Sequence, residues 1–209
     1  MRGLIYTGGD FFPERLREFP APGDLVIAAD SGLRAAERMS VRPDLILGDF
    51  DSLGYVPTIP EAEIIRVPAE KDDTDTQLAV RIALERGADE FLILGGFGGR
   101  PDHTLANLLL LEALARDGIP ARMDNGVSRA RVLLSGTAEI ARDTRFRYLS
   151  LFCLEEIAEG VTVEGCRYPL CGATLRRSQP TLAVSNEITS PVARITVQSG
   201  GLLILECGE

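Results

Sequence analysis

The sequence predicts an α/β N-terminal domain with a mainly parallel sheet, followed by a small all-β, sandwich-like C-terminal domain. Two observations carry this. Over about the first 125 residues, short apolar strand-like runs alternate with segments of helical period, the pattern of a parallel sheet with helices on its faces. From Arg131 onward, strand-like stretches are separated by Gly, Pro and Ser with no sustained helical period, the pattern of a sandwich or barrel. The division falls between residues 1–128 and 129–209, and a chain of this length accommodates two small domains.

Taken in order, the first strand-like runs are Gly3–Thr7, Leu25–Ala29, Leu45–Leu47, Glu63–Val67 and Phe91–Leu94. Helical segments separate them. Ser31–Met39 places Leu33, Ala36 and Met39 at helical spacing, and Asp75–Glu85 places Leu78, Ala79, Ile82 and Ala83 on one face. Asp102–Arg116 repeats Leu105, Leu108, Leu109 and Leu111. In the second half the strand-like stretches are Arg131–Leu134, Arg147–Leu154, Val161–Val163, Thr181–Val184, Ala193–Val197 and Leu202–Leu205.

The composition is that of a globular protein, 45% hydrophobic and 25% charged. With 22 Lys+Arg against 31 Asp+Glu the net charge is -9. That argues against nucleic-acid binding, which needs a positive surface. An anionic small substrate remains compatible, because one metal ion and a few local donors override the global sign. No apolar run approaches the ~18 residues of a membrane span, and Met1–Tyr6 leads straight into a strand-like run; no membrane association and a cytoplasmic location are expected. The four cysteines, Cys153, Cys166, Cys171 and Cys207, form no CxxC and read as reduced thiols. There is no tryptophan, and His103 is the single histidine, a poor basis for a nucleophile–histidine system.

Four polar clusters fall where a strand ends or a helix begins: Ala29-Asp30-Ser31-Gly32, Gly48-Asp49-Phe50-Asp51-Ser52, Lys71-Asp72-Asp73-Thr74-Asp75, and Gly95 through His103. In a parallel sheet such loops gather at one rim. A strand ending in Asp-x-Asp would point both carboxylates to one side. Carboxylates held that close repel, and a divalent cation with oxygen ligands, Mg²⁺ above all, relieves the repulsion. Simpler roles stand beside this. Asp30 and Ser31, or Asp72, Asp73 and Thr74, would serve as helix caps; Asp102 would complement a helix dipole with Arg100 as its ion-pair partner. The glycine loop matches neither a Walker A loop nor a dinucleotide fingerprint. Its glycines still let backbone N–H groups approach phosphate oxygens at a helix start, and Arg100 adds a bidentate donor. Together these suggest a nucleoside triphosphate bound outside the P-loop scheme.

In this order the residues resemble the thiamine pyrophosphokinase (thiamine diphosphokinase) family. The matching elements are Asp30-Ser31-Gly32, Gly48-Asp49-Phe50-Asp51-Ser52, Lys71-Asp72-x-Thr74-Asp75, Gly98-Gly99-Arg100-x-Asp102-His103-x-x-x-Asn107 and Ser185-Asn186-Glu187. The resemblance implies ATP-dependent transfer of a diphosphoryl group to the hydroxyl of thiamine, giving thiamine diphosphate and AMP. It implies Asp49, Asp51 and Asp75 as Mg²⁺ ligands, and Asp72 orienting the hydroxyl or a metal-bound water. Lys71, Arg100, Asp102 and His103 would contact the nucleotide, with Asp30, Ser31, Gly32, Gly98 and Gly99 shaping its pocket. Ser185 and Asn186 would hydrogen-bond the thiamine pyrimidine. It also implies a homodimer whose active site is shared between chains. The chain departs from the family pattern at Ser31, where many relatives have a second glycine, and after Ser185-Asn186, where Glu187 and Ile188 stand in place of the Trp of some relatives. Other readings of the same residues are a diphosphotransferase acting on a hydroxymethyl pterin, a non-catalytic nucleotide-binding module, and a metal-dependent phosphatase using Asp49 as nucleophile.

Overall fold

Continuous apolar runs without polar alternation suit strands covered on both faces. In the first half such runs become β1 (Arg2–Tyr6), β2 (Leu25–Ala29), β3 (Leu45–Gly48) and β5 (Glu90–Leu94), joined by the shorter, more polar β4 (Glu63–Arg66) and β6 (Ala121–Asp124). The structure, a computed structural model, describes residues 1–68, 70 and 72–208. It divides into two units: Met1–Leu110 with Ile119–Gly126, and Leu111–Gly118 with Val127–Glu209.

In the first unit the strands lie in the order β4-β3-β2-β1-β5-β6, every neighbouring pair parallel. Ile5 sits in register between Ile27 and Ile93, and all three are wholly buried. The connections are α1 (Gly32–Arg38), α2 (Asp75–Glu85) and α3 (Pro101–Arg116). Two of them begin where the sequence permits: Thr74 caps α2 by accepting from the Gln77 N–H at 3.2 Å, and Pro101 opens α3, where its missing N–H costs nothing; Ser31 before α1 makes no side-chain cap. The chain builds outward from β1 through β2 and β3 to β4, then returns to β1's other side with β5. That reversal, between β1 and β5, is where sheets of this kind bind ligands.

The second unit is antiparallel. β13 (Leu202–Cys207) runs between β7 (Ser128–Leu133) and β9 (Tyr148–Cys153). A four-stranded sheet has the order β11 (Leu170–Arg176), β10 (Ile157–Glu164), β12 (Val192–Val197), β8 (Gly136–Ala141). Alternating residues of both sheets, Leu149, Leu151, Leu202 and Ile204 facing Val161, Val163, Ala193 and Ile195, form one core, the arrangement of a sandwich.

Three strands lay outside the sequence pattern. β6 offers one fully buried apolar residue, Met123. β8 reads Gly-Thr-Ala-Glu-Ile-Ala, and β11 is mostly exposed and carries Gly172 at φ 58°. Thr181–Val184, expected as a strand, is instead a 3₁₀ turn over Pro180–Ala183. Pro180 fixes φ near the helical value at the first position and removes a ladder donor. The four cysteines are unpaired, and burial pushes the thiols of Cys153, Cys166 and Cys207 above their ordinary range, away from the reactive thiolate. Among the described residues, no helix is long and apolar enough to cross a membrane.

Candidate active site

At the carboxyl ends of the parallel strands a cleft of about 380 Å³ opens in the first unit. Five loops line it: Thr7, Gly8 and Gly9 behind β1; Ala29, Asp30 and Ser31 behind β2; Asp49, Asp51 and Ser52 behind β3; Thr74, Asp75 and Thr76 at the start of α2; and Gly96 with Gly98, Gly99 and Arg100 behind β5. His103 and Asn107 of α3 complete it.

The Asp-x-Asp pair reaches the cleft by a different route from the alternation expected of a strand. β3 stops at Gly48, and the pair lies in a turn. Phe50 adopts a left-handed backbone, φ 65°, and is buried to 2% exposure, so its ring points into the core while Asp49 and Asp51 flank it at the cleft. The Asp51 N–H donates to Asp49 Oδ1 at 2.9 Å, and Arg34 of α1 donates to the carbonyls of Ser52 and Leu53. The turn is thereby tied to the helix beside it.

Asp30 is strained and buried together. Its φ is 45° and its exposure 7%, and its Oδ1 has no hydrogen-bond partner among the described residues. A left-handed non-glycine residue costs on the order of 1–3 kcal/mol and recurs at ligand sites. A buried, unpaired carboxylate oxygen is costly unless something charged reaches it. Next to it, Gly32 lies beneath the cleft and does not line it. A Cβ there would stand 2.1 Å from the Tyr6 carbonyl oxygen, so this glycine permits the close approach of α1 to β1.

α2 enters the cleft at Asp75. Behind it, Thr76 and Thr7 share a buried hydroxyl–hydroxyl hydrogen bond of 2.6 Å, which ties the start of α2 to the end of β1. Asp73, two residues earlier, is taken up by an ion pair with Arg81 at 3.1 Å. Asp72 is exposed and outside the lining, and Lys71 lies outside the described residues.

The glycine loop is held from both sides. The Gly96 N–H donates to the Gly8 carbonyl at 2.9 Å, and the Asp10 N–H to the Phe97 carbonyl at 2.7 Å. The buried Asn107 amide donates to the Gly96 carbonyl at 3.1 Å. A side chain at Gly9, φ 114°, would strike the Phe97 carbonyl at 2.3 Å, so the two loops pack only because one of them is glycine there. Gly8 and Gly9 were missed in the sequence, although an apolar strand followed by Thr-Gly-Gly-Asp carries the same signal as the other four loops. Arg100 and Asp102 pair at 2.5 Å on the surface. The Arg100 guanidinium holds the Asp102 carboxyl below its ordinary range, and Asp102 in turn raises Arg100. Asp102 does not line the cleft.

Ser185 and Asn186 belong to the second unit. Ser185 is exposed at φ 59°, its N–H held by the Ser150 hydroxyl at 3.0 Å. Asn186 is 7% exposed; its Oδ1 accepts from the Tyr168 and Glu187 N–H groups, and its Nδ2 donates to the Tyr168 carbonyl at 2.7 Å. That bond uses one of its two amide hydrogens.

Residues 17–123 match the family model described as thiamin pyrophosphokinase, catalytic domain. Residues 137–202 match thiamin pyrophosphokinase, vitamin B1 binding domain. The thiamine pyrophosphokinase of Bacillus subtilis strain 168 is 32% identical over 193 residues, 87% of this chain and 86% of that protein. Among solved structures, thiamine pyrophosphokinase from Bacillus subtilis superposes with a TM-score of 0.85 at 25% identity, covering both chains in full. That from Geobacillus thermodenitrificans gives 0.84 at 27%, covering all of this chain and 98% of that one. Sequence and fold agree, and the chain belongs to the thiamin pyrophosphokinase family.

Proposed function

We propose that the protein transfers a diphosphoryl group from ATP to the hydroxyl of thiamine, releasing thiamine diphosphate and AMP. The observation that carries this is the meeting of five sequence-distant loops, with Asp49, Asp51 and Asp75 among them, around one cleft at the β1/β5 reversal. In the reaction the thiamine oxygen bonds to the β-phosphorus and the bond from that phosphorus to the α,β-bridging oxygen breaks. AMP departs with that oxygen, and the hydroxyl proton passes to solvent. Catalysis of such a transfer is alignment plus neutralisation of charge on the phosphate oxygens. Gly98, Gly99 and Arg100 supply donors to those oxygens, and Asp30 and Ser31 shape the nucleotide pocket.

The donor set fits a hard divalent cation such as Mg²⁺. It consists of carboxylate oxygens, and Asp30 Oδ1, in the lining of the same cleft, has no hydrogen-bond partner among the described residues. Asp49, Asp51 and Asp75 would hold the ion. Among the described residues no three acidic, His or Cys side chains are gathered closely enough to hold a metal ion by themselves, so water and phosphate oxygens would have to supply the rest of its ligands. When bound, Mg²⁺ offsets the negative charge shared between triphosphate and carboxylates. The proposal includes a homodimer, with Ser185 and Asn186 of one protomer serving the acceptor at the cleft of the other.

The test is product analysis with purified protein, ATP, Mg²⁺ and thiamine. Thiamine diphosphate and AMP should appear in equal amounts and only with thiamine present. AMP formed with a hydroxymethyl pterin but not with thiamine, or inorganic phosphate in place of AMP, would overturn the reading.

A further inference from the structure

The second unit contains a small apolar pocket, about 70 Å³, whose walls include Leu149, Leu151, Val163, Tyr168, Leu182 and Val184. Its rim is unusual in what it leaves in water: Tyr168 is 59% exposed and Leu182 58%. Single exposed apolar side chains are ordinary. Here, however, the backbone beneath the exposed ring is fixed by a buried side chain. Asn186 grips both polar groups of Tyr168, accepting from its N–H at 2.9 Å and donating to its carbonyl at 2.7 Å, and Asn186 itself lines the pocket. One step away, the Arg167 N–H donates to the Glu187 carbonyl at 2.8 Å. A loop residue between β10 and β11 is thus held as firmly as one in a sheet. The Arg167 guanidinium lies over one face of the ring, 5.6 Å from its centre, and the side chain as a whole is exposed.

We propose that Tyr168 is the aromatic platform on which a ring of thiamine stacks, and that Asn186 positions it. This rests on the thiamine reading and goes beyond it by naming the residue that takes the place of a tryptophan in a chain that has none. The chemistry of the occupant fits. Thiamine presents two flat rings, one cationic, and both favour the negative face of a phenol ring. A chain of net charge -9 attracts a cation. The pocket lies wholly within the stretch that matches the vitamin B1 binding model.

The experiment measures thiamine Kd by calorimetry, KM for thiamine and ATP, and mass by light scattering, on the full chain and on Tyr168→Ala and Tyr168→Phe. Loss of one stacked ring should weaken thiamine about tenfold or more in Tyr168→Ala, in both Kd and KM. Tyr168→Phe should stay within about twofold of the parent, since the π-face is retained. The KM for ATP and the mass should not change. Unaltered thiamine affinity in Tyr168→Ala overturns the proposal. So does a changed mass with ATP and thiamine affected alike, which would make the patch a seat for a second copy of the chain. If the parent binds thiamine yet forms no AMP, the proposed reaction falls while the Kd comparison still decides the role of Tyr168. If the parent binds no thiamine, both fall.

Discussion

Asp51 is exposed and makes no core contact, so its replacement should leave the fold alone. Asp51→Asn should lower turnover by about 100-fold or more, the scale of losing one charge-stabilising group, with an unchanged melting temperature; near-parental rates at saturating Mg²⁺ would refute the metal role. The Asp-x-Asp pair was legible in the sequence, but its geometry was not, because the left-handed turn at Phe50 is set by where that ring can be buried. Gly32 shows the reverse. It sits inside a matching motif, yet its neighbour is the Tyr6 carbonyl, a contact that only the packed helix creates. Tyr6 itself carries a pH signature. It is wholly buried, and burial pushes its hydroxyl up to about 12 from 10.0. A pKa raised on folding contributes stability that is complete below the unfolded value and is lost as pH rises through the folded one. Stability should therefore decline between about pH 10 and 12, by on the order of 2 kcal/mol from this group. Denaturant titrations should show Tyr6→Phe with a shallower decline over that window.

Among the elements, the start of α2 depends on the Thr7–Thr76 hydroxyl pair. Thr76→Val would strand the buried Thr7 hydroxyl, at a cost of about 1–3 kcal/mol, and free the turn that carries Asp75. The expected outcome is a lower melting temperature and a higher Mg²⁺ concentration for half-maximal activity, both restored by Thr76→Ser. A stability loss without the Mg²⁺ effect would reduce the pair to packing. Strands β1, β2, β3 and β5 could be read from sequence because parallel strands buried on both faces are largely apolar, and β4 from its Ile64-Ile65 pair. β8 and β11 could not: exposed residues at alternate positions, and Gly172 within β11, erase the pattern that marks a strand. The stretch Thr181–Val184 is apolar enough to be one, and Pro180 alone turns it into a 3₁₀ segment.

At the scale of the whole molecule, an excess of nine negative charges surrounds a cleft meant, on this reading, for a triphosphate. ATP binding should weaken by about tenfold or more when divalent cations are removed with EDTA, because the carboxylates then face the phosphates unscreened; calorimetry with and without chelator checks this. If each active site draws on two chains, mixing Asp51→Asn with Asn186→Ala should restore activity that neither has alone, since one site in the mixed dimer is intact. Additive inactivity would place the whole site within one protomer. The five loops around the cleft also differ in what a change in them can reach. Each follows its own strand, and the register beneath is set by residues such as Ile5, Ile27 and Ile93. The loops behind β1 and β5 are hydrogen-bonded to each other and the β1 loop to the start of α2, whereas the Asp49–Ser52 turn is tied to α1 through Arg34. On the proposed reading, descendants of this chain could retune metal handling at the Asp49–Ser52 turn separately from nucleotide preference at Gly98–Arg100.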